Sequence, residues 1–140
     1  VEYLHSQDIA HMDLKLENIL ITSENDVKLI DFDFMIDVSD EINLNKYYRG
    51  SIPYMSPQVM DGLEYDPTCN DIWGCGVLVY ILATGYMPFG ENEREKITNA
   101  KYYNPPGPYR KIIMYTIAYS EKRRFTAPEL VDQLSKIIIL

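Results

Sequence analysis

The chain has 140 residues, and 13 Lys and Arg against 21 Asp and Glu leave a formal net charge of −8. With 46% hydrophobic and 24% charged residues it has the make-up of one globular domain that buries a core, which excludes disorder and low complexity for the whole. The acidic balance argues against nucleic acid or an anionic membrane as a partner, because phosphate surfaces demand basic ones.

The sequence opens Val1-Glu2-Tyr3-Leu4-His5, without an initiator Met or a signal-peptide pattern. It reads as entering in the middle of a helix, so a piece of a longer protein is expected. Two β-branched runs, 18–22 and 26–30, flank the turn-forming Ser23-Glu24-Asn25 and predict a hairpin. From Asp31 to Pro57 the composition turns acidic and irregular, with Asp33, Asp37, Asp40 and Glu41 among polar and aromatic residues. That stretch reads as a long loop, and loops of such length are more often functional than not.

After Asp66-Pro67, the residues Thr68-Cys69-Asn70-Asp71 form a candidate capping box for the apolar run Ile72 to Ala83, which Thr84-Gly85 closes. A run apolar all round, rather than striped, predicts a helix buried on every side. It is about half of the ~20 residues that a membrane span needs. Cys69 and Cys75 lie six residues apart, on different faces of that helix. A disulfide framework is excluded, and the expected location is intracellular, in the reducing cytoplasm.

Glu91 to Ala100 alternates in charge and predicts a solvated helix, followed by the breaker Asn104-Pro105-Pro106-Gly107-Pro108. Helix resumes over Arg110 to Ala118. A last helix starts at Thr126-Ala127-Pro128-Glu129, again a capping box, with Leu130, Leu134, Ile137 and Ile138 on one face. The expected fold is mainly α (α+β overall), a helical bundle with a small hairpin near the start and no internal repeat.

The densest group of chemically capable residues is His11-Met12-Asp13-Leu14-Lys15-Leu16-Glu17-Asn18, followed thirteen residues after Asn18 by Asp31-Phe32-Asp33. A carboxylate that accepts a hydroxyl proton, a Lys that neutralises phosphate charge, and Asn and Asp oxygens for Mg²⁺ together suit phosphoryl transfer.

That run resembles the protein-kinase catalytic loop, which in the family reads His-Arg-Asp-Leu-Lys-Pro-Glu-Asn. Further matches follow in order. Asp31-Phe32-Asp33 stands where the family has Asp-Phe-Gly, and Gly50-Ser51-Ile52-Pro53-Tyr54-Met55-Ser56-Pro57-Gln58 resembles the stretch ending in Ala-Pro-Glu. Asp71-Ile72-Trp73-Gly74-Cys75-Gly76-Val77 is similar to Asp-x-Trp-Ser-x-Gly-Val, Gly85-Tyr86-Met87-Pro88-Phe89 to Gly-x-x-Pro-Phe, and Arg124-Phe125-Thr126 to the late Arg-x-Thr. The resemblance covers essentially all of 1–140 and implies a partial kinase domain. It would be the C-terminal lobe, with catalytic loop 11–18, metal-binding motif 31–33 and activation segment 31–58.

By that resemblance the N-lobe is absent. Only Gly74 and Gly76 have Gly-x-Gly spacing, and they sit in the apolar run; no strand Lys or helix Glu for the nucleotide is visible. Effective catalysis by the chain alone is therefore not expected, and the missing lobe becomes an expected partner.

The resemblance also implies roles. Asp13 is the catalytic base; Lys15 meets the γ-phosphate and, with Ser51, points to Ser/Thr rather than Tyr specificity. Lys15, Glu17, Asn18 and Asp31 form the ATP and Mg²⁺ side of the site, with Asn18 and Asp31 as the metal ligands. Glu17 also matches a position that reads a basic substrate residue, although it equally reads as a solvated acid. Structural roles fall to His11 stacked on Phe32, to Asp71 and to Arg124. Asp71 either completes the Thr68 capping box or bonds the catalytic-loop backbone. His11 and His5 have no zinc-like companions. Ser39, Tyr47, Tyr48 and Ser51 are hydroxyls of the activation segment.

Three departures from the family stand out. Met12 replaces an Arg that pairs with a loop phosphate, which a thioether cannot do, so loop phosphorylation is not expected to switch the protein. Asp33 replaces Gly and either strengthens Mg²⁺ binding or spoils the loop geometry. Gln58 replaces the Glu that pairs with Arg124, so the pair becomes at best a neutral-to-charged hydrogen bond and the buried guanidinium loses its counter-charge. The expected function is a Mg²⁺-ATP-dependent Ser/Thr protein kinase, loosely of the calmodulin-dependent type, acting on proteins and suited by charge to basic peptides. The alternatives are a pseudokinase or truncated binding module, and a degraded chain that does not fold.

Overall fold

Pro57 and Gly62 bound one helix of the chain, and Pro67 and Gly85 bound another. In the computed structural model, residues 1–39, 49–90 and 94–138 are described, and they form six α-helices and two small antiparallel sheets. Helix α1 (Glu2–Ser6) leads through Asp8, at φ 56°, into β1 (Ile9–Ala10). The 11–18 loop ends in a 3-10 turn (Leu16–Asn18). Strands β2 (Ile19–Ile21) and β3 (Val27–Leu29) then pair with Ile19 opposite Leu29 and Ile21 opposite Val27. This is the hairpin read from the sequence, with Asn25 at φ 65° in its turn.

The 31–57 stretch is not loop throughout. Strand β4 (Ile36–Asp37) pairs with β1, Ile9 opposite Asp37 and Ala10 opposite Ile36, and the Val38 N–H donates to the Asp8 carbonyl at 2.8 Å. Two-residue strands leave too short a pattern for alternation to register. A 3-10 turn (Ile52–Tyr54) and helix α2 (Pro57–Asp61) end the stretch. Asp40, Glu41, Tyr47 and Tyr48 lie outside the described residues.

Helix α3 (Pro67–Thr84) begins before the box read at Thr68. Asp66 is its N-cap: the carboxylate accepts the Thr68 N–H at 2.8 Å and the Cys69 N–H at 3.4 Å, and Pro67 needs no partner in the first turn. Asp71 is thereby released from capping. Gly85, at φ 78°, closes the helix as expected. All-round burial holds only up to Tyr80, for Leu82 is 79% exposed and Ala83 is exposed, so the last turn emerges into solvent. Apolar composition alone does not separate these cases, because much of any protein surface is apolar.

Around α3 the core assembles from Trp73 and Val77 with Met12, Ile36, Val59 and Phe89, the last stacked on Trp73 with ring centroids 5.7 Å apart. Helix α4 (Arg94–Thr98) supplies Ile97 to the same core; residues 91–93 of the helix expected there lie outside the described residues. Helix α5 (Arg110–Thr116) lies across Gly76, where a Cβ would come within 2.3 Å of Thr116 Oγ1, so only glycine permits the approach. Helix α6 (Ala127–Ile138) carries the expected capping box, with the Glu129 carboxylate accepting the Thr126 N–H at 2.7 Å. Its Leu130, Leu134 and Ile137 pack with Ile72 and Ile112.

Both cysteines are free, and burial pushes the thiols of Cys69 and Cys75 up to about 12. Neither is a reactive thiolate at neutral pH. No helix among the described residues is long and apolar enough to cross a membrane.

Candidate functional site

Helix α3 carries Asp71 to the underside of the 11–18 loop. Its Oδ2 accepts the His11 N–H at 2.7 Å, its Oδ1 accepts the Met12 N–H at 2.8 Å, and His5 Nε2 of α1 lies 3.0 Å from Oδ2. Of the two readings of Asp71, the geometry selects the one that bonds the loop backbone. The carboxylate is fully buried, and such a charge is tolerable because polar hydrogens surround it. Met12 sits at φ 69°, a conformation costing roughly 1–3 kcal/mol that persists only where its surroundings hold it. Two charge-assisted hydrogen bonds do so here.

The reversed chain then delivers Asp13 into a cluster. Its Oδ2 lies 2.7 Å from Lys15 Nζ and accepts Asn18 Nδ2 at 3.1 Å, while its Oδ1 accepts the Ser51 hydroxyl at 3.0 Å. Lys15 Nζ donates to Ser51 Oγ at 2.9 Å, and Asn18 Nδ2 also donates to the Asp13 carbonyl at 2.9 Å. Ser51 reaches the cluster because Gly50, at φ 104°, passes the loop so closely that a Cβ would lie 2.6 Å from the Met12 carbonyl oxygen.

Burial alone would raise the Asp13 pKa, but hydrogen bonds from Lys15 and Ser51, with the Lys15 charge, outweigh it and hold the carboxyl below its ordinary value. The hydrogen bond to Asp13 raises Lys15, against its own burial. A carboxyl depressed in the folded state stabilises the fold above the unfolded value of about 3.9 and loses that contribution as pH falls through the folded value. Denaturant titrations between pH 6 and pH 2 are therefore expected to show a loss of stability at the acid end that is smaller in Asp13→Asn than in the parent.

Asp31 is exposed, at φ 62°, and accepts the Asp33 N–H at 3.4 Å. It is tied to the cluster through its neighbour Ile30, whose N–H donates to the Asn18 carbonyl at 3.0 Å. Among the described residues Asn18 Oδ1 and Asp31 Oδ2 accept no hydrogen bond. Oxygen-only donors in such small number fit Mg²⁺, which keeps waters and takes substrate phosphates as its other ligands. Asp33 is exposed and its φ is not positive, so the backbone here does not require the family's glycine.

Glu17 stands apart from the cluster, exposed on the 3-10 turn, though its charge helps raise Lys15. His11 packs its ring against Phe32, centroids 4.8 Å apart. Its Nδ1 accepts the Asp13 N–H at 3.3 Å and its Nε2 lies 3.1 Å from the Ile30 carbonyl, partners that suit a neutral ring protonated on Nε2.

Arg124 is distant from this chemistry and supports the fold. It donates to Gln58 Oε1 at 2.7 Å and to the carbonyls of Ala118, Cys69 and Tyr119, and its guanidinium lies 5.1 Å from the Trp73 ring centroid. The expected loss of counter-charge is corrected, because Glu121 Oε1 stands 3.9 Å away. Burial lowers the Arg124 pKa to about 10 with Glu121 opposing it, so the group stays charged at neutral pH.

Three contributors were given no role in the site by the sequence reading: His5 on Asp71, Gly50 beneath Ser51, and Asn70, whose amide accepts the Ser56 N–H and donates to Met12 Sδ. His5 gave no signal, since its partner lies 66 positions away.

Similarity to known proteins agrees with this geometry. The protein kinase domain family matches residues 1–136. Testis-specific serine/threonine-protein kinase 2 of Mus musculus is 40% identical over 101 residues, which cover 69% of this chain and 28% of that protein. Serine/threonine-protein kinase kin-29 of Caenorhabditis briggsae is 48% identical over 90 residues, 64% of this chain and 11% of that protein. CBL-interacting protein kinase 33 of Oryza sativa subsp. japonica is 31% identical over 142 aligned positions, 94% of this chain and 31% of that protein. The chain thus spans less than a third of the length of each of these relatives.

Proposed function

This chain belongs to the eukaryotic-type Ser/Thr protein kinase family, and on that premise we propose that the protein carrying it transfers the ATP γ-phosphate to Ser or Thr hydroxyls of other proteins. The carrying observation is the cluster itself: a buried carboxylate held ionised by Lys15, Ser51 and Asn18. In this reading Asp13 orients the substrate hydroxyl and accepts its proton, for which a carboxylate kept unprotonated at neutral pH is suited. Lys15, already 2.7 Å from Asp13, balances charge near the transferred group. Ser51 links the two and holds the activation segment against the catalytic loop. Asn18 and Asp31 would hold Mg²⁺, which when bound neutralises phosphate charge. Glu17, exposed beside Lys15, would face a basic residue of the peptide.

We assign 1–140 to the C-terminal lobe, with catalytic loop 11–18, metal motif 31–33 and activation segment 31–58. The exposure of Leu20, Ile21 and Val27 of the hairpin, and of Phe34 and Met35, supports this, because a second lobe would cover apolar side chains otherwise left in solvent. Catalysis then needs that other lobe, and the pseudokinase alternative draws on Met12, Asp33 and Gln58.

A thermal-shift titration separates the two. In the protein that carries both lobes, Mg²⁺-ATP is expected to raise the melting temperature, and Asn18→Ala with Asp31→Ala to abolish the Mg²⁺-dependent part. A parent protein with no shift would support the binding-module reading instead.

A further inference from the structure

Asn70, immediately before Asp71 on α3, connects two segments that are otherwise far apart in sequence. Its Oδ1 accepts the Ser56 N–H at 3.1 Å, at the end of the 31–58 segment, and its Nδ2 donates to Met12 Sδ of the 11–18 loop at 3.7 Å. Ser56, Met12 and Asn70 are 0%, 2% and 4% exposed. A buried N–H demands a partner, and among the described residues the Ser56 hydroxyl has none, so the segment's polar tie at this point is its backbone bond to Asn70. The space bordered by Met12, Asp13, Ser51, Asn70 and Asp71 is only about 10 Å³, no more than one water needs. Both contacts of the Asn70 amide are direct, at 3.1 and 3.7 Å.

We propose that Asn70 is a positioning residue that ties the end of the activation segment to the catalytic loop through neutral bonds, keeping the two coupled without any charge added to the segment. This rests on the kinase reading above. A thioether offers only a weak, uncharged acceptor, and Asn70 gives that acceptor a donor while its carbonyl takes up Ser56. The coupling is then constitutive, set by α3, instead of switched by modification of the segment.

Amide hydrogen exchange of the two-lobed protein, followed by NMR, tests this. With Val77 of the α3 core as internal reference, Asn70→Val is expected to speed exchange at Ser56 by about tenfold. Met12→Leu keeps volume but removes the sulfur, and is expected to speed Ser56 by about threefold. In the double variant Ser56 exchanges no faster than in Asn70→Val alone, because the link is already cut. Unchanged Ser56 exchange in Asn70→Val, or effects that multiply independently, would overturn the proposal. If Asn70→Val does not fold, Met12→Leu decides: faster Ser56 exchange supports the tie and unchanged exchange overturns it. Phosphate-transfer assays on the two-lobed parent keep the two ideas apart: no transfer with the exchange pattern intact removes the kinase reading, and transfer without that pattern removes the role of Asn70.

Discussion

Asp13→Asn is expected to lower phosphate transfer to a Ser-containing peptide by about 10²–10⁴-fold, with nucleotide binding retained. The parent carboxylate accepts three side-chain partners, Lys15, Ser51 and Asn18, and is held below its ordinary pKa by the first two above all. An amide cannot accept the substrate proton and has only one acceptor oxygen to share among those donors. Its NH₂ would also face the Lys15 ammonium or the Ser51 hydroxyl, so the cluster loosens as well as losing its base. Steady-state kinetics on the two-lobed protein measure the effect as a fall in kcat. Turnover within a few-fold of the parent would remove Asp13 from the chemistry.

The second large effect is structural. Asp71→Ala leaves the buried N–H groups of His11 and Met12 without the acceptors they use at 2.7 and 2.8 Å. Each unsatisfied group costs about 1–3 kcal/mol, and the left-handed backbone of Met12 loses what holds it. A destabilisation of about 3–5 kcal/mol is expected, read as a lower denaturant midpoint at constant slope. Asp71→Asn keeps one acceptor and is expected to lose roughly half as much. A loss below about 1 kcal/mol for Asp71→Ala would mean that the loop holds its shape unaided.

Much of this architecture was legible because local chemistry and tertiary role coincide. The hairpin declared itself through β-branched runs around Ser23-Glu24-Asn25, and α6 through its Thr126 to Glu129 box. Where several polar residues compete for one local role, sequence order alone left the choice open: Asp66, not Thr68, caps α3, and Asp71 takes the loop-bonding one of its two readings. The β1–β4 pair was invisible because two residues carry no periodicity. Within the site, Asp13, Lys15, Asn18 and Ser51 were readable as a motif, and the structure brings them into hydrogen-bond contact. The contributions of His5, Gly50 and Asn70 were not, since each depends on a partner that the fold supplies from a distant segment. Arg124 illustrates the converse: the Gln58 change was plain in the sequence, but the compensating Glu121 became evident only from its 3.9 Å approach.

The most direct test of the account is transfer of labelled γ-phosphate by the two-lobed protein to matched basic peptides that differ only in carrying Ser, Thr or Tyr. The account predicts Mg²⁺-dependent labelling of the Ser and Thr peptides and none of the Tyr peptide. Labelling of Tyr alone, or no labelling by a protein that still binds Mg²⁺-ATP, would contradict it.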